Sequence, residues 1–179
     1  MKLAIKSSSI AGALFAMSLT VTAQHPAISS KYQDTAQYPD EKIEALIRNY
    51  HAAHSHDVFP SNALLQQLNK DFPAARDVEW ETAAGIYEAE FEISWRDYKA
   101  YYDAEGHLLA YSFDIRLSEL PPEIKSAAKA KYPNFRFSRD VEKSIKGRNI
   151  FYRVELERGE TEVKATFTSD GSFVKERFD

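Results

Sequence analysis

One short phrase occurs twice in this chain. Residues 70–73 read KDFP and residues 130–133 read AKYP, and each closes an apolar stripe with helical spacing. In the first, Ser61 is placed to cap a helix whose buried positions are Leu64, Leu68 and Phe72, and Pro73 ends it. In the second, Ile124, Ala128 and Tyr132 hold the same three places before Pro133. Pro121 is tolerated near the start of that helix, where the first N–H groups have no intrahelical partner. Two helices closed in the same way sixty residues apart point to two copies of one unit.

The strands that follow carry the same duplication. IYEAEFEIS alternates Tyr87, Ala89, Phe91 and Ile93 with Glu88, Glu90 and Glu92, so one face is apolar and the other acidic. RDYKAYYD places Tyr98, Ala100 and Tyr102 on one face. A turn over Ser94–Asp97 then pairs Ile93 with Tyr98, Phe91 with Ala100 and Ala89 with Tyr102, and sets Glu92 opposite Lys99 and Glu90 opposite Tyr101. Shifted by 65 residues, Leu156 meets Ala165, Val154 meets Phe167 and Glu157 meets Lys164. Gly106 in DAEGH and Gly171 in TSDGS mark equivalent hairpins, with glycine supplying the positive φ. Leu109 and Phe113 correspond to Val174 and Phe178 in the closing strands. The expected fold class is therefore α+β: two tandem units of one helix and four antiparallel strands, the helices on one sheet face. Their ranges are 58–117 and 118–179, with first strands near Arg76–Thr82 and Arg136–Lys143. A sixty-residue unit has a marginal core, so the two should pack together or share one sheet.

Residues 1–23 read as a signal peptide: Lys2 and Lys6, a short apolar stretch from Ile10 to Val21, then Val21-Thr22-Ala23. The stretch is shorter than the 18 or so apolar residues that a membrane span needs. Cleavage after Ala23 leaves Gln24 first and takes the basic count from 23 to 21 against 27 acids, a net charge of −6. That balance argues against nucleic acid as a partner. The chain has no cysteine, hence no disulfide and no lipidated cysteine, and the expected compartment is the periplasm or the medium. Residues 24–57 combine a polar lead with an amphipathic helix bearing Ile43, Leu46, Ile47 and Tyr50, with Asp40 as its expected N-cap.

The order helix, FP or YP, a strand with VEW, a strand YEAEF and a hairpin YYDAEG resembles the PepSY-like, β-lactamase-inhibitor-like family, and the second half repeats it from LPPEIKSAAKAKYP to TSDGSFV. The resemblance covers about Val58 to the C-terminus. It implies an exported bacterial protein of tandem helix-plus-sheet units with no established enzyme activity. The family's name comes from fold similarity to the β-lactamase inhibitory protein, which covers an enzyme with the open face of its sheet. Unlike that inhibitor this chain has no cysteine, and Trp80 of VEW is answered by Lys143 in the second unit.

No catalytic set is expected. There is no cysteine nucleophile, no G-x-S-x-G elbow and no glycine-rich phosphate loop, and His107 beside Gly106 reads as a turn residue. No cofactor is expected either. HAAHSHD offers His51, His54, His56 and Asp57 as metal-ligating types, a pattern that equally suits a polar helix end. The alternative function is thus a cation-binding protein using these histidines or the acidic sheet face. The leading expectation is a non-catalytic module whose partner is an exported protein or peptide. Its contact residues would be Glu90, Tyr101, Phe151 and Arg153 on the outer face, with Tyr87, Phe91, Tyr152 and Leu156 buried beneath the helices and Trp95 exposed at a turn.

Overall fold

The computed structural model describes residues 38–179, so the expected signal peptide and most of the polar lead lie outside the described residues. Three α-helices and nine strands follow in chain order. They are α1 (Asp40–Ala52), β1 (His56–Asp57), α2 (Asn62–Asp71), β2 (Arg76–Ala83), β3 (Ile86–Ile93), β4 (Arg96–Tyr102) and β5 (Leu108–Ile115), then a 3₁₀ turn at Leu117–Glu119, α3 (Pro122–Lys131), β6 (Arg136–Lys146), β7 (Asn149–Arg158), β8 (Thr161–Thr168) and β9 (Phe173–Phe178). The class is α+β. All nine strands form one antiparallel sheet in sequence order, and β5 joins β6 through Ala110–Lys146 to Ile115–Val141. No helix among the described residues is long and apolar enough to cross a membrane.

The Ser61 hydroxyl accepts from the Leu64 N–H and starts α2 as expected. Leu64, Leu68 and Phe72 share one core with Ile124, Ala128 and Tyr132 from the α3 segment and with Phe91, Tyr98, Tyr152, Val154, Leu156 and Phe167 of the sheet. Helix α1 packs elsewhere. Its Ile43, Ile47 and Tyr50 form a second cluster with Ile86, Tyr101 and Ala110, strand residues of the alternate parity. Pro39, not Asp40, holds the N-cap position of α1. The Asp40 carboxylate instead accepts from the Arg148 N–H at 3.2 Å and from Asn149 Nδ2 at 3.4 Å, fastening α1 to the β6–β7 turn. Gly147 makes that approach possible: its φ is +56°, and a Cβ there would run into the Asp40 carboxylate.

The hairpin registers differ from the expected ones by two residues. Ile93 pairs with Arg96, Phe91 with Tyr98, Ala89 with Ala100 and Glu90 with Lys99, while Tyr101 stands opposite Glu88. In the second hairpin Val154 meets Ala165, Leu156 meets Val163, Tyr152 meets Phe167 and Glu155 meets Lys164. The cause in the first case is a two-residue turn in which Ser94 and Trp95 both take positive φ, 52° and 64°. Tight turns of this kind match the strand twist and bring the ladder in two residues earlier. A shift of two keeps every side chain on its own face.

Candidate functional site

The side of the sheet carrying the outward residues is covered by α1 over only part of its extent. Along it, cross-strand partners fall into rows. One row runs Glu81, Glu88, Tyr101, Ala110, Lys146, and α1 sits on its Tyr101 and Ala110. The next runs Glu79, Glu90, Lys99, Ser112, Ser144, Phe151, Thr168. Further along, Glu92 faces Asp97, and Asp114, Glu142, Arg153, Thr166 and Lys175 follow one another across β5 to β9. The face is therefore mainly acidic over β2–β5, with Lys99 among the carboxylates, and carries Lys146, Arg153 and Lys175 over β6–β9.

Lys99 is the cation of the acidic half. Its Nζ lies 2.8 Å from a Glu90 oxygen and 3.3 Å from a Glu88 oxygen. Burial alone would lower its pKa, but the two carboxylates outweigh that and hold it above the ordinary lysine value. Glu88 is only 7% exposed, because α1 closes over it. The Tyr50 and Tyr101 phenols lie near its carboxylate, and burial followed by this neighbour drives both well above their usual range. Nearer the middle, Arg153 bonds Glu142 at 3.0 Å. Burial still pushes Glu142 up, helped by Asp114 and opposed by Arg153. Lys146 is lowered by burial and by Lys175.

Of the four expected contact residues, Glu90 and Arg153 are exposed and Phe151 is half-buried, with Lys146 Nζ 5.7 Å from its ring centre. Tyr101 is buried at 6% exposure, under Tyr50 and His51 of α1 at ring distances of 5.4 and 5.6 Å. It is a docking residue for the helix, not part of the open surface. Phe91, Tyr152 and Leu156 are buried as expected, and Tyr87 is half-buried against the same core. Trp95 is 91% exposed. Phe59, which sequence patterning did not single out, is fully exposed at the sheet edge. It borders a cavity of about 360 Å³ lined by Asp57, Glu79, Glu81, Glu88 and Glu90.

The histidines do not converge. His51 closes α1 against Tyr50 and Tyr101, which lowers its pKa by burial. His56 pairs with Thr82 in β1, and His54 is exposed between them. Among the described residues, the potential ligands whose donor atoms gather within 4.8 Å are Asp103, Glu105 and His107. There Asp103 accepts from the His107 backbone N–H and lies 2.8 Å from its Nδ1, bonds that close the β4–β5 hairpin. The DAEGH spacing signalled that turn but not the Asp–His pair.

No family model matches the chain, and no curated protein matches it in sequence. Solved structures do. A DUF2874 family protein from Bacteroides uniformis superposes with a TM-score of 0.61 at 22% identity, over 67% of this chain and 90% of that one. A BLIP-like protein from Bacteroides fragilis gives 0.58 at 24% identity, over 68% and 87%. A protein of Bacteroides eggerthii, provisionally assigned to the periplasm, gives 0.61 at 15% identity, over 68% and 90%. The chain thus has a BLIP-like fold, the class of fold that the sequence motifs resembled.

Proposed function

We propose that the protein is an exported, non-catalytic binding module of two tandem helix-plus-four-strand units, 58–117 and 118–179, acting in the periplasm or outside the cell. It holds an exported protein or peptide against the part of the sheet that α1 leaves open, and inhibits or senses that partner. One observation carries the reading. A broad sheet face presents Glu90, Arg153 and the half-buried Phe151 beyond the edge of α1, where an outward phenylalanine gains nothing in solubility. The BLIP-like fold shared with the Bacteroides fragilis protein and the provisional periplasmic assignment of the Bacteroides eggerthii protein support the reading of an exported module.

The test is retention of a defined species from a periplasmic extract by immobilised protein lacking residues 1–23. Wild type should retain it, and a Phe151→Ala/Arg153→Ala variant of unchanged melting temperature should not. Equal retention by both would remove the open face from the mechanism.

A further inference from the structure

We propose a second contact surface, separate from the open face: the free edge of β9, which accepts an added strand from an extended acidic segment of another protein. Strand β9 reads FVKERF, and all six residues are exposed. Among the described residues it is the last strand of the sheet, and nothing pairs with its outer side. Asp179 N–H donates to the Glu162 carbonyl at 3.1 Å. Hydrogen-bonding residues alternate along an antiparallel ladder. With Lys164 opposite Arg177 and Thr166 opposite Lys175, the inward-bonding residues are Lys175, Arg177 and Asp179. The N–H and C=O groups of Glu176 and Phe178 therefore point away from the sheet, the template for strand addition.

The two edges are built differently. At the other one, β1 is two residues long, and β2 breaks register between Arg76 and Glu79 at a positive-φ Asp77. Short strands and bulges of this kind discourage pairing. Strand β9 breaks register at Val174, between the Thr166–Lys175 and Phe167–Phe173 pairs, but is regular from Lys175 to Phe178, and Val174 and Phe178 present exposed apolar side chains at 45% and 56%.

Charge chooses the occupant. Lys175 has no carboxylate partner among the described residues. It stands in line with Thr166 and Arg153, and lies close enough to Lys146 to lower its pKa. Arg177, on the same face, is paired with the neighbouring Asp179 and feels the Glu162 carboxylate. A second copy paired antiparallel at Glu176 would set Lys175 against the partner's Arg177, like charges directly opposite. An added strand with acidic residues opposite Lys175 and Arg177, and apolar ones opposite Val174 and Phe178, meets complementary groups on both faces.

The probe is a labelled peptide with the core Val-Glu-Thr-Glu-Val, titrated against the protein by fluorescence anisotropy beside its Val-Lys-Thr-Lys-Val counterpart. The glutamate peptide should bind and the lysine peptide should not. Lys175→Glu should remove that preference, because Arg177 still favours the glutamate peptide, and Lys175→Glu/Arg177→Glu should invert it. Glu176→Pro removes the outward N–H while sparing the ladder to β8, and should weaken binding by about tenfold, whereas Glu176→Gln should bind as wild type. Absence of binding by the glutamate peptide, or binding indifferent to Lys175→Glu, overturns the proposal. So does a dimer in sedimentation that Glu176→Pro dissolves, since the edge would then belong to a second copy.

Discussion

Glu142 stands directly opposite Asp114 on the neighbouring strand, with Arg153 on its other side. Burial disfavours ionisation, and the like charge of Asp114 adds to the effect. The carboxyl is raised above the ordinary glutamate value in spite of Arg153. A carboxyl raised by folding holds its proton more tightly in the native state. Its contribution is full below the unfolded pKa and is lost as pH rises through the folded one. At neutral pH the ionised group is therefore a cost. Glu142→Gln should raise the melting temperature at pH 7, and the difference should close near pH 3, where wild type is itself protonated. A variant less stable than wild type at pH 7 would mean that the Arg153 pair outweighs burial.

At the scale of elements, the paired hairpins are the core. Phe91 stacks on Tyr98 at 5.6 Å and touches Phe72 of the α2 segment at 5.0 Å, while Leu156, 1% exposed, faces Val163. Phe91→Ala and Leu156→Ala should each cost about 2–5 kcal/mol in urea unfolding, because neither hole has a neighbour free to fill it. The Ser94–Trp95 turn should behave the opposite way. Both residues adopt a left-handed conformation that disfavours ordinary side chains, and Trp95 contributes little to the core at 91% exposure. Replacing them by Asn-Gly should stabilise the protein by about 1 kcal/mol. Period-two alternation made the faces of these strands readable in advance, since Phe91 and Leu156 are buried whichever even shift is chosen. Register was not readable, because nothing in Ser-Trp announces a two-residue turn. The stripe of Ile43, Ile47 and Tyr50 showed that α1 buries a face but not against what. Tyr101 and Glu88 were therefore read as surface when α1 covers them.

Over the whole molecule, one sheet of nine strands carries a charge gradient, from Glu79, Glu90 and Glu92 near one edge to Lys175 and Arg177 at the other. α1 is fastened at Asp40 to the β6–β7 turn and packed at Tyr50 on Tyr101. It caps one end of that surface, and Glu90 and Arg153 lie exposed outside the α1 cluster. In the proposed function this open face, and not the helical side, meets the partner. Photo-crosslinking in the producing cell tests it most directly, with a photoreactive residue placed singly at Glu90, Arg153, Gln66 or Lys129. The last two are exposed positions on α2 and α3. Adducts of one common mass from positions 90 and 153, absent from 66 and 129, are the expected result. Adducts from 66 or 129 alone would contradict it.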